Sequence, residues 1–237
     1  VKEPAQTIES VVRWNKHLIE RYCDDADRAF LPPEQFPWIR EVEARFGEIR
    51  TELDALLSRV DQIPAFHQVS SRQDDIADAR WKTFFFKVYG HDVPESRALC
   101  PRTADALARI PRMSTAMFSI LQPGKHIAAH HGPHKGVLRY HLGLRVPTTD
   151  GRCAIRVGEE TRVWEEGKSL VFDDTFEHEA WNRSDAPRVV LFVDFLRPMP
   201  LPLEVANRAL MAVASRFQPD ILEARDNALR YARQLAS

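Results

Sequence analysis

Five of the nine histidines, His126, His130, His131, His134 and His141, fall within sixteen positions. A sixth, His178, stands 48 positions after His130, in Phe172-Asp-Asp-Thr-Phe-Glu-His178-Glu-Ala-Trp-Asn182. Neutral imidazole is the commonest protein ligand for iron, zinc and copper. Histidines crowded onto one β-turn-β unit and answered from another strand therefore read first as a metal site. Lone histidines are as often surface or core residues. One site cannot use all five, so most of them are structural.

The strand after the cluster adds a second chemical signal. Along Val137–Val146, Arg139 and His141 share one face, and Leu138, Tyr140 and Leu142 the other. A guanidinium on the inner face of a small barrel is costly unless something charged sits against it. Arg188, followed by the apolar run Val189–Val193, raises the same question. Arg145 and Arg156 read as rim residues paired with Asp or Glu. For Arg139 and Arg188 an anionic ligand is the stronger reading, because both adjoin the metal-bearing strands.

Elements must position these groups. Residues 7–23 read as a helix with an irregular apolar face (Ile8, Val11, Val12, Leu18, Ile19), ended by the prolines after Leu31. Trp38, Val42, Phe46, Ile49, Leu53 and Leu57 recur at threes and fours, which predicts one amphipathic helix of about six turns covering a sheet. Trp81–Tyr89 is aromatic and β-branched and reads as a strand ending at Gly90. A short helix runs from Thr103 to Ile110 between Pro101 and Pro111. From Met113 to Leu196 short strands alternate with tight turns, the pattern of a sandwich or barrel. Helices return from about Leu203 to Phe217 and from Asp220 to Leu235. The reading is one domain over 1–237: a helical cover over 1–80, a β core over 81–198 and terminal helices over 199–237.

Composition narrows the classes. An apolar content of 44% can build a core, and a net charge of −1 gives no electrostatic reason to expect nucleic acid or an anionic membrane surface. Cys23, Cys100 and Cys153 are odd in number, far apart and without Cys-x-x-Cys spacing. That argues against a disulfide framework or zinc ribbon and fits a reducing compartment. No apolar run approaches the roughly 18 to 20 residues of a membrane span, and no signal peptide is visible. A cytoplasmic location is the expectation, although a start at Val1 leaves room for an upstream anchor.

Several motifs agree in order and spacing with one family. They are His130-x-Gly-Pro, Leu138-Arg-Tyr-His-Leu-Gly-Leu, Trp164-Glu-Glu-Gly-Lys, Phe172-Asp-Asp-Thr-Phe-Glu-His-Glu-Ala-Trp-Asn and Arg188-x6-Phe195-x2-Pro198. Together, over roughly residues 80–198, the chain resembles the aspartyl/asparaginyl β-hydroxylases. These are Fe(II)- and 2-oxoglutarate-dependent oxygenases on a double-stranded β-helix (jelly-roll, cupin-like) core. The Trp81–Gly90 segment also looks like the family's bacterial branch, which includes lipid A hydroxylases.

The resemblance implies a mainly β fold with flanking helices, with His130 and His178 as catalytic iron ligands. Most 2-oxoglutarate oxygenases add a carboxylate. Here the expected position, two residues after His130, is Gly132, as in the peptide-hydroxylating branch, whereas the lipid A branch carries Asp there. The resemblance places the distal carboxylate of 2-oxoglutarate on Ser119 and Arg188, and the iron-chelating end near Arg139 and His141. Asp173, Asp174 and Glu177 read as acceptors that orient the His178 loop rather than as metal ligands. His131 reads as structural, His126 and His134 as residues that could line the entrance, Asn182 as fixing a turn, and Trp164, Trp181 and Tyr140 as packing.

The reaction implied is decarboxylation of 2-oxoglutarate with O₂, coupled to hydroxylation of an unactivated carbon. An aspartyl or asparaginyl side chain, in a peptide or small molecule, is the default target. A lipid acyl chain is the alternative, and a non-catalytic cupin-like binder of metal or carboxylate is an alternative of another class. A zinc metallohydrolase fits less well, because no carboxylate is clearly placed as a general base. Oligomeric state does not follow from the sequence.

Overall fold

The computed structural model describes residues 4–70 and 76–236, with side chains from residue 12 onward. The first helix, α1 (Pro4–Tyr22), buries Ile19 completely; the side chains of Ile8 and Val11, expected on its apolar face, lie outside the described residues. A two-residue strand β1 (Phe30–Leu31) follows, then α2 (Trp38–Glu43) and α3 (Phe46–Leu57). The single helix expected from Trp38 to Leu57 is therefore two. Arg45 leaves the helical region (φ −96°, ψ 9°), with no proline or glycine before it to force the break. Packing sets it instead: Trp38 lies edge-on to Tyr140 and Phe195 at 5.0 and 5.2 Å, while Ile49, Leu53 and Leu56 are buried further along the same sheet face. Tertiary burial overrides a continuous helical propensity.

After α4 (Phe66–Val69) comes β2 (Trp81–Val88), as expected from its aromatic pattern, then β3 (His91–Asp92). Helices α5 (Pro94–Leu99) and α6 (Pro101–Leu107) each open on a proline at the first helical position, where its missing N–H costs nothing. The expected helix over 103–110 corresponds to α6, shifted back to its proline, and α5 was not anticipated. The β region then supplies β4 (Met113–Leu121), β5 (His126–His130), β6 (Val137–Arg145), β7 (Cys153–Val157), β8 (Glu160–Val163), β9 (Ser169–Phe172), β10 (His178–Asn182) and β11 (Arg188–Leu196). Helices α7 (Leu201–Phe217) and α8 (Pro219–Ala236) close the chain, within a few residues of expectation.

Among the described residues the strands form two antiparallel sheets, one of seven strands in the order β1-β9-β6-β11-β4-β2-β3 and one of four in the order β5-β10-β7-β8. Period-two alternation gives the large sheet two different faces. Leu138, Tyr140, Leu142, Phe118, Leu191 and Phe195 pack outward into the core shared with α2, α3 and α6. Arg139, His141, Met117, Ser119, Arg188 and Phe192 point the other way, into the space enclosed between the sheets. The strand parity read from the sequence thus holds, and it places the charged groups inside. This is a mainly antiparallel β architecture with flanking helices, of the jelly-roll, cupin-like kind.

Candidate active site

The space between the sheets is a cavity of about 550 Å³. His130 ends β5, His178 begins β10, and the two are directly paired across the strands. Opposed residues of an antiparallel pair project to the same face, and here the imidazole centroids stand 4.1 Å apart. Each Nδ1 faces a backbone carbonyl two residues upstream, His130 that of Ala128 at 2.8 Å and His178 that of Phe176 at 3.0 Å. A carbonyl can only accept, so both Nδ1 atoms carry hydrogen and both Nε2 lone pairs remain available. The His178 Nε2 is buried without a hydrogen-bond partner.

Burial, reinforced by the Arg139 charge and the neighbouring imidazole, pulls the His178 pKa down to about 3. Burial also lowers that of His130. Both rings are thus neutral near pH 7, the form that binds metal.

Behind this pair lie groups suited to a carboxylate. Arg188 is 2% exposed, and its Nε and Nη1 have no hydrogen-bond partner among the described residues. Burial pulls its pKa down to about 9. Its guanidinium sits over the Trp164 ring, 4.2 Å from the centroid, which compensates only part of that cost. Ser119 accepts a bond from Trp81 Nε1 at 3.1 Å, which leaves the hydroxyl hydrogen free to be donated. Trp164 Nε1 donates to His141 Nδ1 at 3.3 Å, so the His141 proton is on Nε2, and that buried atom also lacks a partner. Three donors from three strands therefore line one cavity with no acceptor among the described residues. Buried donors are rarely left so, and an anion with acceptor oxygens satisfies them.

Arg139 differs from Arg188. Its Nε bonds Asp194 at 2.8 Å and its Nη2 reaches Asp174 at 2.8 Å, so its charge is balanced within the wall. Of the two arginines for which pairing was weighed against a ligand, one is paired and one is not. Asp174 also explains the glycine at 132: a Cβ there would overlap the Asp174 carboxyl group, and the Gly132 N–H donates to the Asp174 backbone carbonyl at 2.6 Å. Among the described residues, no group of three or more His, Cys, Asp or Glu is arranged to hold a metal.

The other candidates sort by position. His134 lines the cavity and bonds Asn207 at 2.7 Å, and His131 lines it from an exposed position. His126 is an outward residue of β5, paired with Glu179 at 2.7 Å and remote from the cavity lining. Asp173 is buried with Lys135 (2.9 Å) and Arg197 (2.5 Å), and Glu177 pairs with Arg156 at 3.0 Å. Asn182 accepts from Ser184 and donates to Ala186, fixing the turn before β11. Tyr140 is buried in the core, whereas Trp181, expected to pack, is only half-buried, donating to the Gly151 carbonyl and lying under the Arg183 guanidinium. Trp164, read as packing, in addition fixes the His141 tautomer and supports Arg188. Its Trp-Glu-Glu-Gly motif marked it, but its indole N–H could be connected to His141 only across the fold.

The cupin-like barrel thus encloses a pair of neutral imidazoles beside buried, unsatisfied donors. The sequence model of the aspartyl/asparaginyl β-hydroxylase family matches residues 43–198, and the chain belongs to that family. It is accordingly an enzyme with hydroxylation activity. It is 45% identical to an ornithine lipid ester-linked acyl 2-hydroxylase of Rhizobium tropici, over 92% of this chain and 78% of that protein. It is 33% identical to aspartate β-hydroxylase domain-containing protein 2 of Xenopus tropicalis, over 75% of this chain and 48% of that protein. The human aspartyl/asparaginyl β-hydroxylase is 36% identical over 56% of this chain, a span of only 18% of the human protein. Among solved structures, a cupin 2 conserved barrel protein from Salinispora arenicola aligns over 56% of this chain and 86% of its own, with 9% identity and a TM-score of 0.33. No described helix is long and apolar enough to cross a membrane.

Proposed function

We propose that this chain is an Fe(II)- and 2-oxoglutarate-dependent dioxygenase that hydroxylates a fatty acyl chain of an amphipathic lipid, at the carbon beside the acyl carbonyl. The observation that carries the cosubstrate assignment is the set of orphaned donors on Arg188 and His141. A dicarboxylate inside a low-dielectric barrel requires such donors, and guanidinium matches a carboxylate with two parallel bonds. The lipid reading rests on the apolar side chains that fill the rest of the wall, among them Phe66, Phe85, Met117, Ile127, Ile155 and Phe192, and on the similarity to the Rhizobium acyl hydroxylase.

In this reading His130 and His178 hold the iron through their Nε2 atoms, each ring locked by its Nδ1–H bond. Iron with 2-oxoglutarate and O₂ supplies the chemistry, giving succinate, CO₂ and one hydroxyl on the substrate carbon. The protein's own work is placement and exclusion of water. Arg188 and Ser119 hold the distal carboxylate, and His141 donates from Nε2 to an oxygen of the cosubstrate. Arg139 does not contact the keto acid in this scheme. Its pairs with Asp174 and Asp194 hold the wall beside the metal and limit net charge there. Trp164→Phe removes the donor that fixes the His141 tautomer, so 2-oxoglutarate affinity is expected to fall roughly 10-fold. Calorimetric titration with an unchanged dissociation constant would remove His141 from the binding scheme.

A second reading, hydroxylation of an aspartyl or asparaginyl side chain, is favoured by the Gly132–Asp174 packing, which leaves no room at 132 for the carboxylate of the lipid A branch. Succinate release decides between them. Enzyme supplied with Fe(II) and 2-oxoglutarate is offered ornithine lipid in detergent micelles, Asp- and Asn-containing peptides, and free Asp or Asn. Succinate formed with the lipid, and one added oxygen on its ester-linked acyl chain, is the expected result. Turnover confined to peptides would overturn the lipid reading. Binding of 2-oxoglutarate without succinate from any of them would place the substrate outside these classes.

A further inference from the structure

The outer face of α7 is apolar and uncovered. Leu201, Val205, Val213 and Phe217 are 72, 56, 53 and 70% exposed, and their spacings of four and eight put them on one stripe, with Ala209 between them. Single exposed apolar residues need no explanation, but a contiguous row does. The exposed charges on this helix are both positive, Arg208 and Arg216. Its one acidic residue, Glu204, is largely buried and tied to Arg112 at 2.7 Å. Helix α1 packs beside α7 and carries two further exposed aromatic residues, Trp14 and Tyr22, 59 and 54% exposed. On α1 Arg13, Lys16 and Arg21 are exposed, with the acid Glu20 3.8 Å from Lys16, and Asp24 and Asp27 are exposed just beyond the helix, so the unbalanced positive charge is that of α7.

The inner face of the same helix has another task. Leu210, Met211 and Ala214 form part of the cavity wall, together with Val12 of α1 and Ile221 of α8. A single helix thus separates the cavity from the exposed apolar stripe.

We propose that α7, flanked by α1, docks on the surface of an anionic lipid bilayer. The stripe sits at the acyl boundary and the arginines lie among the headgroups, so that an acyl chain passes along the inner face of α7 to the imidazole pair. Bulky apolar residues flanked by Arg and Lys, with no exposed acid on α7, are the composition of an interfacial helix. The sign of the charge selects an anionic surface. A second copy of the chain is a poorer occupant, because isologous packing of this face would bring its arginines against one another. The docking deepens the lipid-substrate reading and takes from it only the identity of what passes inward.

The test is co-sedimentation of the full chain with vesicles of phosphatidylcholine alone or of phosphatidylcholine with phosphatidylglycerol. The protein is expected to pellet with the anionic vesicles, and less as salt rises. Bound protein should fall ~10-fold or more in Val213→Glu/Phe217→Glu, and likewise in Arg208→Glu/Arg216→Glu. These sites are exposed, so both variants should melt as the parent does; a variant that does not fold is replaced by Val213→Ser/Phe217→Ser, with the same expectation. Equal pelleting of parent and variants would overturn the proposal. So would a parent that is dimeric by sedimentation, with monomeric variants, and that leaves anionic vesicles unbound. Turnover of micellar lipid separates the two ideas: turnover without vesicle binding sinks the docking alone, and vesicle binding without turnover sinks the lipid-substrate reading alone.

Discussion

Arg188→Leu should weaken 2-oxoglutarate binding roughly 10² to 10³-fold, while leaving the ligand-free protein at least as stable as before. Most buried arginines behave otherwise, because removing them strands a carboxylate partner. Arg188 has no such partner: its Nε and Nη1 are unsatisfied and it is 2% exposed. Burial holds its pKa near 9, below that of a free guanidinium, so folding at neutral pH carries the cost of the buried charge. For a basic group with a depressed folded-state pKa, that cost is present below the folded value and fades only as pH rises toward the unfolded one. Leucine removes the cost and also the recognition. Melting curves with and without 2-oxoglutarate should therefore move in opposite directions. The ligand-free variant melts no lower than the parent, and the upward shift that ligand gives the parent is lost. A variant that loses stability but keeps the ligand-induced shift would mean that Arg188 is a structural residue.

Gly132→Asp is expected to destabilise the fold by about 3–5 kcal/mol, a drop in melting temperature of roughly 6–20 °C. In many related oxygenases a carboxylate at this position completes the metal triad, so a naive reading predicts a gain in metal affinity. The packing predicts otherwise. A side chain at 132 must displace the Asp174 carboxyl group, which balances Arg139 together with Asp194. Desolvation already raises the Asp174 pKa, so a third carboxylate in this pocket is poorly tolerated. The double variant Gly132→Asp/Asp174→Gly restores both the room and the carboxylate count, and should recover most of the lost stability. A single variant that melts with the parent would show that the wall gives way easily and that Asp174 is not fixed as described.

Much of this site was legible in the sequence because strand parity is a local rule. It placed Arg139 and His141 together, and the packing agrees. The family motifs singled out His130 and His178, which the fold brings into ring contact. Other features depended on which elements meet. Arg139 and Arg188 looked alike in sequence, yet only Arg139 has two aspartates opposite it. Trp164 read as packing because its bond to His141 crosses 23 residues of chain. His126 and His134 were treated alike, but the turn after β5 sends only His134 to the cavity. A net charge of −1 offered no reason to expect an anionic surface, because a sum over the chain hides the segregation of arginines and apolar residues on α7.

In the proposed function His130 and His178 together hold one ferrous ion, beside a keto acid held by Arg188. Anaerobic titration of the protein with Fe(II) in the presence of 2-oxoglutarate, followed by visible absorbance, tests it most directly. One iron per chain, with a charge-transfer band that saturates, is expected, and the band should be lost in both His130→Ala and His178→Ala. Saturable iron binding with an unchanged band in either variant would contradict it.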